Sequence, residues 1–226
     1  MRDSYEQLFS RGLISKDQLF EFGLSETIYV DVKKAQIEWE SLKDKIQFGQ
    51  EVFIRGFGKN AKGTHLFQKF YENLIGNDNI VKDPTNNAIP TKLLRKWTGY
   101  SKSGGNSFKP IRNYQISHVF GKTKNVYCFT APWNIVYVPK IIDPFTGHEA
   151  QGSYVDEYAQ LFKKETFKRF RTIIEDFNQI ISNTEFQSHI KTAVGLMRYE
   201  KGVTSNDIEK LEKAIKTEFS PIYENI

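Results

Sequence analysis

Between Val155 and Ile181 the residues Tyr158, Leu161, Phe162, Phe167, Phe170, Ile174, Phe177 and Ile181 recur at a near-helical period. Such a stripe belongs on one side of a helical segment and has to be covered, either by the rest of the chain or by a second subunit. A last helix is expected from about Asn206 to Phe219, with Thr204 or Ser205 as its cap and Asp207 and Glu209 in its first turn. The C-terminal third is therefore helical.

Packing has to hold the chain together, because covalent staples are excluded. Cys128 is the single cysteine, so neither an intrachain disulfide nor a Cys-rich zinc site can form. The 226 residues are 39% hydrophobic and 14% aromatic, enough for a core in one or two domains. No apolar run approaches the length of a spanning helix, so no membrane partner is expected. The start, Met1-Arg2-Asp3-Ser4-Tyr5-Glu6, lacks the apolar stretch of a secretory signal. These features point to the cytoplasm.

Charge is unevenly spread. The chain carries a net +5, yet no acidic residue occurs between Asp83 and Asp143. That stretch holds Lys92, Arg95, Lys96, Lys102, Lys109, Arg112, Lys122, Lys124 and Lys140, which leaves the remainder net negative. A basic middle inside an acidic shell suggests that the middle faces a polyanion.

The first 50 residues read as mostly helical. Ser15-Lys16-Asp17-Gln18 supplies a cap, Ile28 to Val32 has strand composition, and Ala35 to Ile46 is an amphipathic helix with Ile37, Trp39, Leu42 and Ile46 apolar. Glu51 to Arg55 is expected as a strand. Thr64 then opens a helix bearing Leu66, Phe67, Phe70, Tyr71 and Leu74. The turn between them has Gly58 and Gly63 at phosphate-loop spacing, but Thr64 stands where that loop needs its lysine, so a plain turn is the better reading. Residues 76–91 are expected as a loop. Pro90 begins a short helix through Trp97, stopped by Gly99, with Lys92, Arg95 and Lys96 on one flank as candidate DNA contacts. The stretch Ser101 to Ser107 is the expected main boundary.

Of four histidines, His189 reads as structural and His65 is undecided; His118 and His148 bracket an ordered pattern. Ile116-Ser117-His118 ends a strand, Gly121 to Asn125 forms a loop, and Asn134 opens a second strand stopped by Pro139. Thr146 and Glu149 suggest a capping box that puts His148 in the first turn of a helix. The order is a β-hairpin followed by a helix.

Residues from about Asn113 to Tyr158 thereby resemble the HNH (ββα-metal, His-Me finger) nucleases, about a fifth of the chain. The resemblance implies that His118 is the general base that activates a water against phosphorus. It implies that Asn134 braces the loop or binds metal, and that His148 binds one divalent cation, Mg²⁺ or alternatively Mn²⁺. Ser117 stands where many members carry an acidic or histidine ligand, so Asp143 or Glu149 would contribute. Arg112, Lys122 and Lys124, in or near the loop, are expected to hold the phosphodiester, with Lys92, Arg95 and Lys96 as further DNA contacts.

The expected fold is α+β: a central ββα-metal motif flanked by a mixed α/β N-terminal region and C-terminal helices. It divides into a DNA-recognition region at 1–105, a nuclease core at 106–160 and a helical region at 161–226. The expected function is site-specific hydrolysis of double-stranded DNA, as in small HNH restriction endonucleases. A homodimer would match a palindromic site, with the C-terminal apolar helix as its interface, and a cognate DNA methyltransferase would be the partner enzyme. The alternatives are a monomeric phage or mobile-element nicking nuclease, a DNA-binding protein that does no chemistry, or an RNA-binding module that stacks bases on Tyr100, Phe108 and Tyr114.

Overall fold

Short polar residues placed just ahead of apolar runs start several of the helices, as expected of N-caps. The computed structural model describes residues 2–56, 64–103, 107–147 and 149–224, with nothing said of the side chains of Thr64 and His65. Asp3 caps α1 (Ser4–Ser10). Ser15 and Gln18 form a reciprocal capping box at the start of α2 (Lys16–Ser25). The strand expected at Ile28 to Val32 is reduced to one antiparallel bridge, Ile28 to Tyr137. It stops there because the Asp31 carboxylate accepts from the Lys33 and Lys34 amides and starts α3 (Val32–Gln47). α3 buries Ala35, Trp39, Leu42 and Ile46, whereas Ile37 is 64% exposed. Two residues from both Ala35 and Trp39, Ile37 falls on the opposite side of the helix.

β1 (Val52–Ile54), α4 (Thr64–Ile75) and β2 (Ile80–Lys82) make a strand–helix–strand unit, with Val52 opposite Ile80 in a parallel pair. β2 falls within the segment expected as a loop. Three residues carry too little pattern to be read as a strand, and pairing with β1 creates it. The turn at 57–63 lies outside the described residues. α5 (Ala88–Thr98) carries Pro90 in its first turn, where no backbone N–H is needed, and ends at Gly99 with φ of 74°. β3 (Tyr100–Ser101) and β4 (Lys109–Pro110) form a short parallel pair across the expected boundary.

The hairpin is present. β5 (Tyr114–His118) pairs antiparallel with β6 (Ile135–Pro139), His118 opposite Ile135. The helix after it begins later than the sequence suggests. Thr146 donates its hydroxyl to the Asp143 carbonyl and closes a 3₁₀ turn, Asp143–Thr146, so the expected capping box with Glu149 does not form. Gly147 and Gly152 have φ of 88° and 121°, which no helix accommodates, and α6 (Ser153–Arg169) starts beyond them. Three helices follow: α7 (Arg171–Ser182), α8 (Thr184–Met197) and α9 (Ser205–Glu218), the last capped by Thr204 in a capping box with Asp207.

β6 is buried on both faces and separates two apolar clusters. Val136 and Val138 face Phe145, Val155, Tyr158 and Phe162, so the 3₁₀ turn and α6 cover one side of the hairpin. Ile135 and Tyr137 face the larger cluster, which runs from Val30 to Ile222 and takes residues from all three regions read in the sequence. The helical stripe is spent in these clusters. Tyr158 and Phe162 enter the smaller one, and Phe167, Phe170, Ile174, Phe177 and Ile181 the larger, while Leu161 is 36% exposed. This chain itself covers the stripe that sequence left open between core and subunit interface. The fold is mixed α+β.

Candidate active site

The connection from Val119 to Asn134 is long for a hairpin, and most of it is buried, so its backbone needs internal partners. Turns within the loop and the Tyr71 hydroxyl supply several, and Asn134 supplies three more. Its Oδ1 accepts from the Phe120 amide at 2.9 Å, and its Nδ2 donates to the carbonyls of Gly121 and Cys128, each at 3.0 Å. One side chain thus ties both limbs of the loop to the start of β6. Asn134 is fully buried and is not among the residues that line the adjacent cleft. Of the two roles the resemblance offered it, bracing the loop is the one this geometry serves.

The braced loop carries the Phe129 carbonyl to His118, at the end of β5. His118 Nε2 lies 3.0 Å from Phe129 O, and the two rings stack at 5.2 Å. A carbonyl only accepts, so Nε2 bears the proton in this contact and Nδ1 is the basic nitrogen of the neutral ring. His118 is only 6% exposed, and the surface it keeps lies on a cleft of about 940 Å³.

The cleft brings together residues distant in sequence. Ser117, His118 and Gln115 come from β5, Asp143 and Glu149 from the segment before α6, and Arg55 from the end of β1. Lys210, Lys213, Thr217 and Glu218 come from α9. Gln115 Nε2 donates to Asp143 Oδ2 at 3.0 Å, which orients that carboxylate. The Ser117 hydroxyl is buried with no hydrogen-bond partner among the described residues.

Lys122 and Lys124 line the cleft, but much of each is engaged internally. Lys122 has φ of 52°, and its ammonium donates to Thr217 O at 2.7 Å and Ser220 Oγ at 2.6 Å. The Lys124 amide donates to the Glu218 carboxylate at 3.1 Å, and Asn125 Nδ2 donates to the Glu218 carbonyl at 2.8 Å. These bonds join the histidine loop to the end of α9. Burial pushes the Lys122 and Lys124 ammoniums below the ordinary lysine range and the Glu218 carboxyl above the ordinary carboxylate range. Burial likewise drives the Cys128 thiol well up, which makes it a packing residue rather than a nucleophile.

The other basic residues singled out from the sequence lie outside this cleft. Lys92 and Lys96 are exposed on α5, and Lys96 is 3.8 Å from Glu38. Arg95 lies over the Phe108 ring at 4.9 Å, and Arg112 is exposed just before β5. His148 lies outside the described residues, and position 148 precedes the first residue of α6, Ser153, rather than falling in the helix's first turn. His189 is exposed on α8. Arg55, Gln115, Lys210 and Lys213 were not singled out as site residues. The spacing of Lys210, Lys213 and Thr217 shows that they share a helical face, but not that this face meets His118.

A divalent cation is the cofactor the resemblance implies, and the donor set suits a hydrated one. Among the described residues no three His, Cys, Asp or Glu side chains converge as a ready-made metal cage. Mg²⁺ commonly takes only one or two protein carboxylates and keeps several waters. Asp143 and Glu149 offer two carboxylates, and the partnerless Ser117 hydroxyl is a buried group that an ordered water would satisfy.

No solved structure matches the chain. Residues 30–224 match the family described as Uncharacterised protein PM1201. A protein of that description from Pasteurella multocida (strain Pm70) is 38% identical over 213 residues, covering 93% of this chain and 94% of the relative. With this breadth of match, the chain belongs to the PM1201 family.

Proposed function

We propose that the protein is a metal-dependent endonuclease of double-stranded DNA, with His118 as its general base. One observation carries the reading: the contact from Nε2 to the Phe129 carbonyl fixes the His118 tautomer at the wall of a cleft that also holds Arg55, Lys124, Lys210 and Lys213. A base fixed in this way takes a proton from the attacking water as the new P–O bond forms. The bond from phosphorus to the 3′ oxygen then breaks, and that oxygen leaves with a proton from solvent. Asp143 and Glu149 are the carboxylates that would hold the cation, with His148 added by the resemblance. When bound, such a cation stabilises charge on the phosphate and the leaving oxygen. Asn134 acts through the loop, as a positioning residue.

The C-terminal stripe expected as the interface of a site-specific restriction homodimer is covered by the chain itself, so a dimer would have to use another face. That observation favours the second reading, a monomer with one cleft that nicks one strand per encounter. Purified protein with supercoiled plasmid and Mg²⁺ tests both. Nicked circles that are absent with EDTA and with His118→Ala are expected. Discrete linear fragments formed without a nicked precursor would restore the dimer. Unchanged cleavage by a folded His118→Ala protein would remove the assignment of the base.

A further inference from the structure

α9 presents Lys210, Lys213 and Thr217 to the cleft at spacings of three and four, along one face of the helix. Neither lysine ammonium has an ion-pair partner among the described residues. On a neighbouring face of the same helix, Glu212 is paired with Arg198 at 2.7 Å. Lys16, Lys34, Lys43, Lys69 and Lys168 are likewise paired with nearby carboxylates. Two exposed cations with no ion-pair partner among the described residues therefore stand on the wall of the same cleft as His118.

Their placement is fixed in advance. The end of α9 is tied to the histidine loop through Lys122, Lys124 and Asn125, so the lysine face does not need a ligand to bring it to the cleft. Arg55 and Lys124 add positive charge from other elements. Cations spread over several elements suit an extended polyanion better than a single small anion.

We infer that Lys210 and Lys213 hold phosphates of the DNA duplex and set its register against His118, which makes α9 the positioning wall of the cleft. This rests on the nuclease reading. Both are binding residues that act on affinity and register, with no part in the proton transfer.

Anisotropy of a fluorescein-labelled duplex in EDTA, titrated between about 50 and 200 mM salt, tests the inference. Lys210→Glu with Lys213→Glu is expected to weaken binding at least about tenfold and to flatten the plot of log K against log salt by about 2, about one unit per lost phosphate contact. Lys210→Gln with Lys213→Gln should flatten it similarly without introducing repulsion. Lys191→Glu with Lys201→Glu, exposed positions away from the cleft, makes the same change in net charge and should leave the slope unaltered. If the wild type binds and cleaves DNA but the α9 variants keep its affinity and slope, or the control pair loses as much, the role of α9 is overturned and the nuclease reading stands. If the wild type neither binds the duplex nor cleaves plasmid with Mg²⁺ or Mn²⁺, both fall together.

Discussion

Asn134 shows how much one side chain can decide. It pairs the Phe120 N–H and the Gly121 and Cys128 carbonyls, and of these the Cys128 carbonyl also accepts from the Ala131 amide. Asn134→Ala leaves the Phe120 N–H and the Gly121 carbonyl without that partner, each at about 1 kcal/mol or more, so a loss of about 2 kcal/mol is expected in urea unfolding. A loss below about 1 kcal/mol would mean that the loop does not depend on it. Glu218 gives a pH signature. Its carboxyl is raised above its ordinary value of 4.5 by burial, so the folded chain holds that proton more tightly than the unfolded one. The stabilisation is complete below the ordinary value and is lost as pH rises through the folded value. Glu218→Gln keeps an acceptor for the Lys124 amide and loses nothing over that window. The Tm of the variant relative to the wild type should therefore rise with pH above about 4.5 and then level off. A pH-independent difference would show that the site is not desolvated.

At the scale of elements, local signals worked where the partners lie close in sequence. The caps expected for α2 and α9 and the glycine stop of α5 are short-range patterns, and all three occur, the two caps as reciprocal capping boxes. The capping box proposed at Thr146 failed because Pro144 and Gly147 favour a closed 3₁₀ turn over a helix start. α5 has a start signal that sequence reading missed. Asn87 makes no side-chain cap, and the fully buried Asp83 carboxylate accepts instead from the amides of Thr85, Ala88 and Ile89. Asp83 thus fastens the end of β2 to the start of α5. Asp83→Ala should cost about 3 kcal/mol in denaturant unfolding, and Asp83→Asn, which keeps acceptor capacity, about half of that. Equal losses in the two variants would indicate that the charge, rather than the acceptors, holds the junction.

At the scale of the whole molecule, the two sides of β6 decide where everything else sits. Its alternate residues enter different clusters, one closed by α1, α2, the 3₁₀ turn and α6, the other by α3, α5, α7, α8, α9 and the strand–helix–strand unit. No described helix is long and apolar enough to cross a membrane. The basic middle of the chain is not one continuous surface: the Lys122 ammonium turns inward to α9, Lys124 stays at the cleft with its ammonium over the Phe67 ring, and Lys92, Lys96 and Arg112 stay outside the cleft. The acid-free stretch was legible as charge bias but not as geometry, because a sum of charges carries no direction. Sequence by itself determined the helical C-terminal third and a hairpin whose first strand ends at His118 and whose second stops at Pro139, since periodicity and local hydrogen bonding act over a few residues; the candidacy of His118 came from the resemblance to HNH nucleases. Only the tertiary structure decided that the apolar stripe is core, that Phe129 orients His118, and that α9 closes the cleft with Lys210 and Lys213. The first and last depend on packing between segments far apart in the chain, and the second on the path of a buried loop, which no local pattern encodes.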